Sequence, residues 1–422
     1  AKYFDVAEIS LLNNSLAGVN VKGNKFFYVN PLEANGHQLF NHGSAGRSPW
    51  FDCACCPSNI ARVVNHVGGY MYAVEDSTIY ALLYCGNEVT LSVNEAQVKL
   101  KQKTEYPYAG SIRFEIDLDT PTEFAVKLRI PTWAQGEQFV PGELYHFIEK
   151  STSTWSLKVN GEKLLADTEK GFVEINRFWS TGDIIELDLP MGVRYNHCDS
   201  RVVSNRGRVA LTRGPLVLCA EEADNEGAVQ RFYLPEIPKE ESCSVAKIED
   251  GVLTGSPIIS IPAVERVDNE SRQTEVNFIP YFSWNNRGNA SMIVWLPDSA
   301  QGADSQLSRV YFDPAKYGTV TASSCADYGV VESVKDGRRP ESSADEVTNA
   351  WISSGESAKE WIQMVFDQPQ ILERIGLFWV SYDQIDTPVS WRMEYLKAGN
   401  WYPFEKYITD VYGVSKDRYN TV

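Results

Sequence analysis

Apolar positions change their period near residue 70. Before it they recur at helical spacing. Val6, Ile9, Leu12 and Leu16 predict one face of an amphipathic helix over residues 3–17, with Gly18 suited to the position just past its end. Residues 25–32 read as a short strand or extended segment, and a loop rich in Gly, Asn, His, Ser and Arg follows over 35–49. Ile60, Val63, Val64 and Val67 predict a second helix, with Pro57 at its first position and Gly68-Gly69 closing it. Two helices cannot enclose a core by themselves. Residues 1–69 therefore read as the closing part of a larger helical domain.

From Tyr70 the period is two. Segments such as 78–84, 89–93, 111–118, 124–130, 157–161, 172–175 and 183–189 alternate as strands, with turn signals between them at the spacing of an all-β sandwich. We read 70–190 as a first β-sandwich. A second set (193–195, 208–212, 216–219, 273–281 and 291–296) reads as a second sandwich over 191–300. Residues 301–316 are polar, with Gly302 and Pro314, and read as an interdomain linker with some extended structure. Residues 317–422 are β-rich again, with strands expected at 361–366, 371–379 and 391–396. The expected class is multidomain and mainly β.

Composition narrows the function. The chain has 422 residues, 43% of them hydrophobic and 23% charged, the profile of a globular protein. A net charge of −17 argues against nucleic acid and anionic membrane surfaces, both of which need basic patches. No run of 18 apolar residues is present to span a membrane. Eleven Trp and 21 Tyr serve sandwich cores first, and sugar-stacking surfaces second. Cys85, Cys198, Cys219, Cys243 and Cys325 are scattered and form no dense disulfide framework, so cysteine usage leaves the compartment open.

The remaining three cysteines, Cys53, Cys55 and Cys56, lie within four residues. Adjacent cysteines bridge only with strain. At a helix N-terminus, where Cys55 and Cys56 are expected, the dipole favours a thiolate. Three readings remain open: a zinc site lacking the usual C-x₂-C spacing and a second ligand cluster, an activated nucleophile, or a structural site with a buried thiol and one distant disulfide. His37 and His42 precede the cluster and are candidates to line the same pocket. Glu33, which follows Val29-Asn30-Pro31-Leu32, is a weakly marked candidate carboxylate. A glycosidase needs two catalytic groups facing each other across a bond, and the pattern places no second one.

Residues 50–62 resemble the Cys-Cys-Pro-x-Asn-x-x-Arg signature of the β-L-arabinofuranosidase family of glycoside hydrolases. Segments 27–32, 128–133 and 207–217, with Ile279-Pro280-Tyr281, Trp284 and Arg287-Gly288, resemble further motifs of that family, so the likeness runs over about residues 1–296. It implies an α/α toroid carrying the active site, of which 1–69 is a remnant, followed by two β-sandwiches. It implies Zn²⁺ held by three cysteines and a glutamate. Carried over, Cys55 would be nucleophile and zinc ligand and Cys56 a zinc ligand only, with Cys53 outside the pair. The other two ligands and a glutamate acid/base would come from helices outside this chain. His37, His42 and Trp50 are the expected substrate contacts. The implied reaction is retaining hydrolysis of L-arabinofuranosides, or related furanosides, in plant oligo- or polysaccharides, by a secreted or periplasmic bacterial enzyme; this chain alone is expected to be inactive. Residues 317–422 resemble a discoidin (coagulation-factor type C) jelly-roll through 321–324, 334–340, 351–354 and 360–366, expected to lack its last strands. The alternatives are a non-catalytic carbohydrate-binding β-sandwich protein and a structural zinc module.

Overall fold

The structure is a computed structural model. It describes every residue except 137, 152, 268–269, 311–317, 336–341, 344–349, 367–374, 384, 398, 404–413, 418 and 422. The chain divides into two compact units, Ala1–Tyr311 and Phe312–Val422. It is mainly β with few helices.

Alternation along Ser111–Leu118 shows how the first β region forms. Ile112, Phe114, Ile116 and Leu118 point inward, and the intervening residues lie outside. This strand sits inside a six-stranded sheet whose order is Glu162–Leu164, Ser156–Val159, Ile184–Asp188, Ser111–Leu118, Ala96–Thr104, Asn87–Val93. A four-stranded sheet faces it across a common core: Phe172–Trp179, Thr122–Arg129, Thr78–Ala81 and Tyr72–Glu75. Ala96–Thr104 was not anticipated as a strand. Its lysines alternate with Val98, Leu100 and Gln102, which are buried.

The strands of the second β region join one hydrogen-bonded system of eleven. The hairpin Pro257–Val267 and Glu270–Pro280 dominates it, and the first of these strands was also unanticipated. Two strands come from outside the expected limits. Tyr145–Phe147 pairs with Val193–Cys198, and Glu33–Asn35 pairs with Ser291–Ile293. The expected strand 291–296 is broken into Ser291–Ile293 and Trp295–Pro297, which pair with different neighbours.

The first helix departs from its expected face. It runs as α1, Lys2–Ile9, and widens into a π-helical turn at Ser10–Ser15. Val6 is 46% exposed, while Asp5 and Glu8 are buried. The cause is Arg129, which ends a central strand with no exposure to solvent. Its Nη1 donates to Asp5 Oδ1 at 2.6 Å and its Nη2 to Glu8 Oε1 at 2.5 Å. Thr132 and Tyr106 hydroxyls donate to the same two carboxylates. A buried guanidinium needs counter-charges, and that need turned the polar side of the helix inward. Gly18 has no left-handed φ; a Cβ there would come within 2.5 Å of Ile60 Cδ1, so its role is close approach.

Two further expectations give way. The linker read over 301–316 is helical in its first part: α3 spans Ala300–Val310, with Ala303 and Gln306 buried one turn apart. Residues 311–316 lie outside the described residues. The second helix starts earlier than expected, as the site shows below.

In the second unit, Thr319–Ala322 pairs with Ile362–Val365, Gly376–Phe378 with Tyr419–Thr421, and Glu394–Lys397 with Asn400–Pro403. The strand expected at 391–396 begins only at Glu394. Residues 371–374 of another expected strand, and 336–340 of one motif, lie outside the described residues.

Candidate active site

The cysteine cluster hangs from a tightly bonded loop. Asn41 has no exposed surface. Its Oδ1 accepts the Tyr28 N–H at 2.7 Å, and its Nδ2 donates to Gly46 O at 2.8 Å and Phe26 O at 3.2 Å. Arg47 is buried beside it. Its guanidinium donates to Ala17 O, Trp284 O and Phe282 O, and lies 4.3 Å over the Phe27 ring. Burial pushes the Arg47 pKa down to about 10. This one side chain ties the end of the first helical segment to the second β region.

On that frame Tyr28, His42 and Phe51 form an aromatic trio. The Tyr28 and His42 ring centroids are 4.1 Å apart, and Phe51 sits 5.4 Å and 5.6 Å from them. His42 has φ of +50°, a conformation that few non-glycine residues hold without support from their surroundings.

The second helix, α2, spans Cys55–His66. Pro57 is its third residue rather than its first, still within the turn whose N–H groups need no intrahelical partner. Gly68-Gly69 does not stop the chain sharply; a 3₁₀ turn runs through it at Val67–Tyr70. Ala54 precedes the helix with no side-chain cap, so the helix opens directly on the two cysteines. Asn59 Nδ2 donates back to Cys55 O at 2.8 Å, and Arg62 Nη1 donates to Asn59 Oδ1 at 3.1 Å. The Asn and Arg of the signature therefore brace the turn that carries Cys55.

Cys55 Sγ lies 3.5 Å from Tyr28 Oη and 3.7 Å from Cys56 Sγ, and all eight cysteines are free thiols. The Tyr28 hydroxyl, and after it the Cys56 thiol, hold the Cys55 thiol below its ordinary pKa. The same hydrogen bond pushes Tyr28 up to about 12. Cys56 shifts upward, first through burial and then through its neighbour. The two thiols are thus pushed in opposite directions, Cys55 toward the thiolate and Cys56 away from it. Cys53, exposed, stands near enough to act electrostatically on Tyr28 and Cys56.

The pair suits a metal. Two thiolates at about 2.3 Å from a tetrahedral zinc stand about 3.8 Å apart, close to the spacing observed. Among the described residues, no group of three or more His, Cys, Asp and Glu side chains forms a metal cage. Among the described residues, no carboxylate hydrogen-bonds to Cys55 or Tyr28.

Other expected residues fall elsewhere. His42 reaches the cluster through the Tyr28 ring. His37 is exposed, its N–H held by Asn35 Oδ1 at 3.0 Å. Trp50 is 63% exposed next to the buried Phe51. Glu33 faces Arg208 at 3.4 Å. Tyr28 and Asn41 were not anticipated as site residues. They stand 27 and 14 positions before Cys55, and no local spacing links them to it.

Comparison with known proteins covers the first unit. The glycoside hydrolase family 127 β-L-arabinofuranosidase catalytic-domain model matches residues 1–69, its middle-domain model 78–191 and its C-terminal-domain model 193–297. A non-reducing end β-L-arabinofuranosidase of Bifidobacterium longum subsp. longum is 32% identical over 319 residues, 70% of this chain and 45% of that protein. A solved family 127 β-arabinofuranosidase is 36% identical with a TM-score of 0.66, over 71% of this chain and 46% of its own. A solved β-L-arabinofuranosidase from Geobacillus stearothermophilus T6 is 32% identical with a TM-score of 0.62, over 70% and 46%. The chain spans about half the length of the relatives it matches.

Proposed function

Since this chain belongs, through residues 1–297, to the β-L-arabinofuranosidase family of glycoside hydrolases, we propose that it carries the nucleophile half of a retaining arabinofuranosidase site. The observation that supports this is the Tyr28–Cys55–Cys56 arrangement at an uncapped helix N-terminus.

In this reading the Cys55 thiolate attacks the anomeric carbon of an L-arabinofuranoside. A C–S bond forms as the glycosidic C–O bond breaks. The leaving oxygen takes its proton from a general acid outside the contacts described. Water then displaces Cys55 at the same carbon and loses its proton to the same group. Two inversions give net retention. Tyr28 steadies the thiolate by donating its O–H, and the aromatic trio keeps that hydroxyl in place. Cys55 and Cys56 would hold Zn²⁺, which supplies a positive charge that keeps thiols ionised near neutral pH. His42, with His37 and Trp50 on the same loop, is proposed to contact the sugar. We read residues 317–422 as a discoidin-like, sugar-binding appendage.

A substrate that needs no acid tests the assignment. β-L-Arabinofuranosyl fluoride leaves without protonation, so incubation with the 422-residue chain should leave one pentosyl unit on Cys55, seen by intact-mass and peptide-mapping mass spectrometry. Cys55→Ser should abolish the adduct and Cys56→Ser should not. An alkyl arabinofuranoside, whose alkoxide leaving group must be protonated, should not be turned over by the chain alone. An adduct on Cys53, or none anywhere, would count against Cys55 as nucleophile.

A further inference from the structure

A groove between the two β regions of the first unit carries chemistry that the cysteine site does not use. It is open, about 500 Å³, with Leu12 and Leu16 along one side and Pro107, Tyr108 and Phe282 among its walls. A recess of about 180 Å³ adjoins it, sharing Tyr108 and Lys247 and adding Arg213.

Arg213 is the unusual member. Its Nη1 donates to Tyr108 O at 2.9 Å, and its Nε is buried with no acceptor. Among the described residues no carboxylate pairs with it. Burial lowers its pKa, and no neighbouring charge offsets that shift. A half-buried guanidinium without a counter-ion costs free energy until an anion reaches it. At the rim, Lys247 Nζ bonds Glu105 Oε2 at 3.0 Å, with both side chains exposed. Exposed pairs of this kind are weak and exchange partners readily. Arg213 lines the recess, Lys247 lines both recess and groove, and Glu105 lies beside Lys247 on the groove wall. In a chain of net charge −17, two cations lining one recess stand out.

We propose that this groove binds a carboxylate-bearing sugar, a uronosyl residue, with its carboxylate toward Arg213 and Lys247 and its ring against Tyr108 and Phe282. A guanidinium fork matches a planar carboxylate. Aromatic faces pack against the C–H face of a sugar ring. The paired volumes exceed one monosaccharide, so a neighbouring neutral sugar fits beside the acidic one. Binding in this groove needs no turnover and no part of Cys55.

The test is binding to the 422-residue chain by isothermal titration and saturation-transfer NMR, with D-galacturonate, L-arabinose and acetate as separate probes. Galacturonate should bind about 10-fold more tightly than either arabinose or acetate. Arg213→Met, which keeps the aliphatic stem, should weaken galacturonate about 10-fold, and Lys247→Ala about 3-fold. Lys247 is exposed, so its variants Lys247→Ala and Lys247→Glu give a reading even if Arg213→Met fails to fold; Lys247→Glu should weaken binding further than Lys247→Ala. Equal binding of acetate and galacturonate would reduce the groove to a bare anion site and overturn the proposal. So would equal binding of arabinose, no binding of galacturonate, or binding unchanged in the variants.

Discussion

Single residues decide most here where charge meets burial. Arg129 is enclosed by Asp5, Glu8, Leu82 O and the Tyr84 ring. Removing one partner of a buried ion pair strands the other. Arg129→Ala should therefore lower stability by about 3–5 kcal/mol, read as a shift in the urea midpoint. A solvent-exposed pair such as Lys99–Glu88 offers the contrast, where Lys99→Ala should shift the midpoint hardly at all. At the site, the Tyr28 hydrogen bond lowers the Cys55 pKa, and burial raises that of Cys56. A depressed pKa places the thiolate at lower pH. In metal-free protein, the iodoacetamide rate at Cys55 should reach its half-maximum below the pH of an ordinary thiol, and at Cys56 above it. Tyr28→Phe should move the Cys55 midpoint upward; an unmoved midpoint would show that the hydroxyl does not act on the thiol. The clustering of Cys55 and Cys56 was legible because it is local. Tyr28 was not, because only the Asn41-bonded loop brings it to the sulfur.

Elements were legible where one period ran without interruption. Ser111–Leu118 formed as its alternation predicted, and α2 followed its valines. Burial was another matter. In α2, Val63 and Val64 are 37% and 48% exposed, so the described residues cover their apolar stripe only in part. Val63→Lys and Val64→Lys should each change the chain's stability by no more than about 0.5 kcal/mol in urea unfolding. The π turn at Ser10–Ser15 behaves oppositely. It carries Asn13, whose Nδ2 donates to Pro215 O at 2.8 Å and whose Oδ1 accepts the Val217 N–H at 2.7 Å. Asn13→Ala leaves buried backbone groups unpaired and should cost about 1–3 kcal/mol by the same measurement. Nothing in a helical period announces such a residue, because its partners lie some two hundred positions away. The helix α3 was misread for a related reason. Its polar, Gly-containing sequence looks like a linker, but Ala303 and Gln306 find a surface to cover, with Gln306 Nε2 bonded to Gln230 O at 3.3 Å.

At the scale of the molecule, the chain forms two compact units that meet in sequence near residue 311. A chain ending at residue 310 should keep the first unit's thermal transition and the Cys55 alkylation rate, as calorimetry and peptide mapping would check; loss of either would show that the first unit depends on the second. Within the first unit the boundaries drawn from the sequence are crossed by individual strands. Glu33–Asn35 belongs in sequence to the cysteine-bearing segment and in space to the second β region. Tyr145–Phe147 crosses in the same way from the first β region. What the sequence determined by itself was the class of those segments whose period runs unbroken, and the clustering of the cysteines, since a side-chain period and a cysteine pair beside a proline are properties of near neighbours. The tertiary structure alone decided which face of α1 turns inward, which hydroxyl meets Cys55 and which carbonyls meet Arg47 and Arg213. Each depends on groups brought together from distant positions, where desolvation sets the cost of every unpaired charge.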